Sequence, residues 1–185
     1  MEPSLSEAVI DSFIDLHKRG YIYHGTRMIN WDPVGKTALS DEEVNHEEQN
    51  AKLYYVQYQI QDSDEYIQIA TTRPETIMGD TAVCVHPDDT RYKHLLGKNC
   101  IVPMVDRVVP IIADDYIDLE FGTGALKVTP AHDINDYEIG KRHQLQTIDV
   151  FNEDATISEA AGIFVGEDRF KARKLAAIEL ERVAG

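Results

Sequence analysis

The sequence predicts an α+β fold in which short strands close into a β-barrel-like sheet with helices at its periphery. Three observations carry this. The β-rich runs YYVQYQI, YIQIA, TAVCV, NCIVP, RVVPII and ALKVT are short and separated by Pro, Gly and Asp. Helical periodicity is confined to three stretches, two of them near the chain ends. Strands and helices do not alternate in the regular βαβ order that a parallel doubly wound sheet requires.

Taken in order, SLSEAVIDSFIDLHKRG places Leu5, Val9, Phe13 and Leu16 on one helical face. Ser4 and Glu7 form an S-x-x-E capping box, and Gly20 stands where a helix ends, so a peripherally packed amphipathic helix is expected. MINWDPVGKTALSDEEV, with Pro33 and Gly35, is a turn-rich connector, and the acidic NHEEQNA is a joint. The expected organisation is residues 1–48 as N-terminal helix and connector, 49–167 as the core, and 168–185 as a C-terminal helix. Tyr54, Val56, Tyr58 and Ile60 alternate with Tyr55, Gln57, Gln59 and Gln61, the period of a half-buried strand, and DSDE turns it into YIQIA as a hairpin. DINDYEIGKRHQL and RFKARKLAAIELERV are helices.

Composition narrows the function. At 185 residues the chain can bury one compact core. Its net charge of −15, from 33 acids against 18 bases, argues against a general nucleic-acid coat, so any nucleic-acid contact must be local. No run is long and apolar enough for a membrane span, and no signal-like N-terminus occurs. Two cysteines, Cys84 and Cys100, lie in apolar runs and read as buried thiols, which favours a reducing, cytoplasmic setting.

Three segments can carry chemistry. IATTRPETIMGDTAV runs from a strand into a hydroxyl-rich loop, where Pro74 pushes Arg73 towards an extended conformation and displays its guanidinium. The alternative is a turn whose threonines cap the backbone. FGTGALK has two glycines for close backbone approach but lacks the third of a dinucleotide loop. KVTPAHDINDYEIGKRH sets Asp133 and Asp136 as N-cap and third position of a helix, which favours an ionised Asp136 suited to a bound ammonium. His132, Asp133 and Asp136 are also a possible metal triad, but no third well-spaced His or Cys supports it. His143, beside Lys141 and Arg142, complements the helix C-terminal end.

TTRPETIMGDTAVCVHPDD followed by FGTGALKVTPAHDINDYEIGKRH resembles the editing domain inserted in class I aminoacyl-tRNA synthetases for branched aliphatic amino acids, the valyl type within that group. GYIYHGTRMINWDPVGKTALSDEEV is similar to the segment entering that insertion, and FNEDATISEAAGIFVGEDRFKARK to the one leaving it. The H-x-G-H and K-M-S-K-S signatures of the synthetic domain are absent, so the resemblance implies an excised editing module. Where some relatives carry W-C-P-x-C for zinc, this chain has Trp31-Asp32-Pro33-Val34-Gly35, and no metal or other cofactor is expected.

By this resemblance the activity is deacylation of mischarged threonyl-tRNA(Val), with the aminoacylated 3′ end of tRNA(Val) and the remaining domains of the parent synthetase as partners. Asp136 would hold the substrate α-ammonium, and Lys127 and Thr129 would act with it. Asp133 and His132 would complete the amino-acid pocket, Phe121 would face the terminal adenine, and Arg73 would position the ester or a phosphate. Thr71, Thr72 and Thr76 would form a threonine-rich wall. Rival readings are a non-catalytic acceptor-end binding module, a leucyl or isoleucyl relative, and a metal-dependent hydrolase.

Overall fold

The computed structural model describes residues 3–119 and 122–183. Eight strands, β1 (Asn30–Asp32), β2 (Thr37–Leu39), β3 (Tyr54–Ile60), β4 (Tyr66–Thr71), β5 (Ala82–Val85), β6 (Asn99–Val102), β7 (Arg107–Ala113) and β8 (Ala125–Val128), accompany three helices, α1 (Pro3–Lys18), α2 (Ile134–Arg142) and α3 (Arg169–Val183). β3 to β8 form one sheet in the order β4-β3-β6-β7-β5-β8, antiparallel except for the parallel pair β5–β7. The two edge strands β4 and β8 lie close to each other, so the sheet is a nearly closed barrel, as the short strands imply.

Alternation decides what points inward. Val56, Tyr58 and Ile60 of β3, Ile67 and Ile69 of β4, Cys100 and Val102 of β6, Val109 and Ile111 of β7, and Val83 and Val85 of β5 fill the interior. The registers Tyr58↔Ile67, Cys100↔Val109 and Val83↔Lys127 keep these residues in phase across the sheet. Lys127 therefore shares the inward face of β8 with Ala125. The opposite face of β5 and β8, with Ala82, Cys84 and Val128, is covered by Ile139 of α2. Gly140 lets α2 approach, since a Cβ there would lie 2.7 Å from Pro130 Cγ.

A 3-10 turn, Pro74–Gly79, crosses the barrel end with every residue buried. Behind it Met78 packs with Val150, Ile157 and Ala172, which docks α3. Arg173 of α3 clamps the buried Glu75 of the turn through Nε at 2.8 Å and Nη2 at 2.6 Å.

The N-terminal region differs from expectation in three ways. The connector contains a hairpin, β1–β2, whose turn is tied by Asp32 accepting from Val34 N and Gly35 N, and Trp31 Nε1 anchors it by donating to Glu153 O at 2.8 Å. α1 is helical and ends as expected, with Gly20 at φ 79° and hydrogen bonds from Gly20 N to His17 O and Tyr21 N to Leu16 O. It already begins at Pro3, so Ser4 is not its N-cap, and the Ser4 side chain lies outside those described. Its apolar face is not packed: Leu5, Val9, Phe13 and Leu16 are 42–62% exposed, because periodicity marks a stripe fit for burial without supplying the surface that buries it.

This contrast is measurable. Ile139→Ala removes a fully buried contact between α2 and the sheet and should cost about 2–5 kcal/mol in urea unfolding. Phe13→Ser on the open face of α1 should change the same midpoint by less than about 0.5 kcal/mol.

Candidate functional site

A cleft of about 480 Å³ opens at the seam where β4 and β8 meet, bounded by the 74–79 turn, the start of α2 and residues 116–118 and 122–124. Nine of the ten residues singled out from the sequence line it: Thr71, Thr72, Arg73 and Thr76 from one side, and Lys127, Thr129, His132, Asp133 and Asp136 from the other. The tenth, Phe121, lies outside the described residues.

The β4 side is a hydroxyl-stapled turn. Thr71 Oγ1 accepts from Arg73 N at 3.1 Å, and Thr76 Oγ1 donates to Arg73 O at 2.9 Å. These threonines thus cap the backbone, the plain alternative, while still bordering the cleft. Arg73 sits at φ −127°, ψ 64°, outside the helical region as its Pro neighbour requires. Its Nη1 donates to His132 O at 2.7 Å and its Nε lies 3.6 Å from Glu75 Oε1, so the guanidinium spans the seam.

Across the seam, alternation turns Lys127 and Thr129 inward, and His132 N donates to Thr129 O to close the turn into α2. Asp133 is the N-cap of α2: its Oδ1 accepts from Asn135 N at 2.8 Å and Asp136 N at 3.2 Å. Asp136, the third helical residue, is buried, and its Oδ2 accepts from Thr129 N at 2.8 Å. Burial raises its carboxyl to about 6, with Lys127 pulling the other way. The shift is opposite to that expected from a helix N-terminus alone, because lost solvation outweighs the dipole; the group is still mostly ionised at neutral pH.

His132 is neutral. Burial and the neighbouring Arg73 and Lys127 cations lower it to about 3, and its Nε2 accepts from Val150 N at 3.0 Å. The 3.6 Å approach of Asp149 is therefore not an ion pair. That lone pair is therefore used, and among the described residues no group of three or more His, Cys, Asp or Glu is arranged to hold a metal ion. His143 caps the end of α2 and, with Arg142, holds Asp114.

The sequence did not reveal the floor of the cleft. Asp80 is fully buried, and Lys127 Nζ and Thr129 Oγ1 donate to its Oδ1 at 3.1 and 2.5 Å, while Tyr58 Oη donates to its Oδ2 at 2.5 Å. Lys127 Nζ also bonds Thr129 Oγ1. Burial pushes the Asp80 carboxyl up, and Lys127, Thr129 and Tyr58 pull it back. The signal available was a lone acid entering the apolar run TAVCV. No cysteine or serine lines the cleft among the described residues. Cys84 and Cys100 are buried free thiols pushed up to about 12. Among the described residues the arrangement offers a buried anion, an ammonium and oriented hydroxyls.

A family model for tRNA synthetases class I (I, L, M and V) matches residues 1–175. The chain belongs to this family. It is 56% identical over 181 residues to the valine–tRNA ligase of Bacteroides fragilis, covering 98% of this chain and 21% of that ligase. It is 58% identical over 174 residues to that of Parabacteroides distasonis, covering 94% and 20%. The chain thus spans about a fifth of the length of the curated relatives it matches. Among solved structures it resembles the LeuRS of Agrobacterium radiobacter K84 in its ternary complex with tRNA and LeuAMS (TM-score 0.57, 19% identity, 94% of this chain and 30% of that one). It also resembles the isolated GlLeuRS-CP1 (TM-score 0.53, 12% identity, 71% of this chain and 96% of that one). At these identities the likeness establishes a shared fold, that of the CP1 domain of class I synthetases.

The raised Asp136 makes stability depend on pH. A carboxyl lifted from 3.8 to about 6 binds protons more tightly in the folded state. Its contribution is most favourable below pH ~3.8, declines as pH rises through about 6 and is flat above. Asp136→Asn, keeping an acceptor for Thr129 N, should equal or exceed the parent's stability at pH 7.5, by up to the order of 2–3 kcal/mol, with the gain fading towards pH 4. Urea unfolding at both pH values decides it; a gain independent of pH would contradict the raised value.

Proposed function

We propose that this chain is a hydrolytic editing module that deacylates threonyl-tRNA(Val), working in the cytoplasm as part of a synthetase for valine. One observation carries the reading: a buried Asp136 faces a threonine-lined wall across a cleft that it shares with Lys127. The relatives named valine–tRNA ligase point to the amino acid that must be spared. An apolar synthetic pocket for valine cannot strongly reject threonine, which replaces a methyl by a hydroxyl, so a second, hydrolytic selection is needed.

In this reading the Asp136 carboxylate pairs with the α-ammonium of the aminoacyl ester and fixes its carbonyl in the cleft. Lys127, with two of its three N–H donors on Asp80 and Thr129, retains one for the substrate. Thr129 and the Thr71–Thr76 wall supply the polar contacts that threonine satisfies and valine leaves unpaired. Arg73, half-exposed at the rim, meets the ester or the RNA phosphate, a local basic contact in an acidic chain. An aminoacyl ester is already activated, so an oriented water suffices. The water oxygen adds to the carbonyl, the ester C–O bond breaks, and the ribose hydroxyl and free threonine leave.

The test is hydrolysis of threonyl-tRNA(Val) beside valyl-tRNA(Val) by this chain. Faster clearance of the threonyl ester is expected; equal rates, or none above buffer, would refute the reading. Asp136→Asn should lower threonyl-tRNA clearance about ten- to a hundredfold at pH 7.5 through loss of a charge-assisted contact. In the parent, the rate should rise with pH through about 6 as Asp136 ionises, and this limb should vanish in the variant. Thr76→Leu or Thr129→Leu should also impair clearance by filling the pocket; normal rates in both would remove those threonines from it.

A further inference from the structure

Asp80 caps the 74–79 turn, two residues before β5 begins at Ala82, and Arg107 Nη1 donates to its carbonyl at 3.1 Å and to that of Met78 at 2.8 Å. Its backbone is thus fixed, and its side chain has no contact with solvent. All the side-chain donors recorded on its carboxylate are Lys127, Thr129 and Tyr58, and the first two line the cleft. Lys127 Nζ can only donate, so Thr129 Oγ1 accepts from it and turns its own single proton to Asp80 Oδ1. Thr129 Oγ1 then shows the cleft a lone pair, never a proton.

We propose that Asp80 is a positioning residue for the cleft: it fixes the Lys127 ammonium and the polarity of the Thr129 hydroxyl, and it governs how much of the Lys127 charge acts on Asp136. Its effect on activity rests on the deacylase reading above; its effect on the cleft's electrostatics does not. Asp136 is faced by Lys127 from β8, Asp133 from the start of α2, Asp80 from below, Arg73 across the seam and the neutral His132. Lys127 stabilises its ionised form, whereas Asp133 and Asp80 oppose it. Asp80 therefore partly neutralises Lys127 as seen from Asp136. Asparagine at position 80 has the same shape but no charge, and its amide N–H can donate to Thr129 and reverse the hydroxyl.

The experiment is a carbon-13 titration of the Asp136 carboxyl in the parent, Asp80→Asn and Tyr58→Phe, with pH–rate profiles on threonyl-tRNA(Val). In Asp80→Asn the Asp136 midpoint should move below about 6, and the acid limb of the rate should move with it. The rate on the plateau should fall about tenfold through kcat, because Lys127 and Thr129 lose their alignment. Tyr58→Phe removes one donor from Asp80 without touching the cleft, so Asp80 holds its charge less well and Asp136 should shift the same way by less. If Asp80→Asn does not fold, Tyr58→Phe decides alone. An Asp136 midpoint unmoved in the folded variants overturns the proposal. A parent that titrates as described yet leaves threonyl-tRNA(Val) intact would instead overturn the deacylase reading and leave the role of Asp80 standing.

Discussion

The interaction on which the cleft depends is the burial of the Lys127 ammonium against Asp80 inside the barrel end. Both side chains are almost entirely shielded from water, and removing charges from water costs several kcal/mol per ion. The cost is offset only because the geometry is complete: Asp80 receives three donors, and Lys127 divides its protons between Asp80 and Thr129. Such a pair contributes little net stability beside an apolar replacement, yet losing one partner strands the other. What it contributes is specification. It ties β8 to the turn before β5, turns Thr129 in a fixed sense, and sets the strand end whose Thr129 N–H receives Asp136.

The opposite wall is held from behind by the same kind of bond. Glu75 sits between the cleft residues Arg73 and Thr76, with its carboxylate held in the Arg173 clamp and Arg73 Nε 3.6 Å from its Oε1. Met78 and Ala172 pack beneath it. The threonine wall is therefore a short turn fixed at its back by α3 and at its front by its own hydroxyls. Two charged pairs, the buried Asp80–Lys127 and the buried Glu75 with the part-exposed Arg173, fix the two sides of one seam and hold the cleft between the strand edges in one shape.

The elements legible in the sequence were those whose signal is local. The β3–β4 hairpin declared itself by alternation around DSDE, α2 by Asp133 followed by Asp136, and α3 by its uninterrupted helix formers. What escaped was long-range. Asp80 meets partners at positions 58, 127 and 129, and Glu75 meets one 98 residues away, so neither leaves a spacing to read. β1–β2 was hidden because three-residue strands around a Pro-containing turn carry no periodicity. The openness of the α1 face could not be read either, since an amphipathic stripe has the same sequence whether it is covered or not. In the cleft, residue types were legible but not their division of labour: the threonines of the TTRPET run hold a turn as well as bordering the space.

Asp136 and Asp133 show why one acid suffices for the helix and the other calls for a further account. Asp133 caps α2 through two backbone N–H groups and needs no help. A second acid in the first turn favours the helix most cheaply when exposed, where the dipole gain carries no desolvation cost. Asp136 is instead only 5% exposed and raised to about 6, so its charge opposes folding at neutral pH. The backbone N–H that it accepts from Thr129 could be met by a neutral acceptor of the same shape. A fold that keeps a charge at a cost to itself, aimed into a cleft beside an ammonium and a row of hydroxyls, has placed it for something outside the fold.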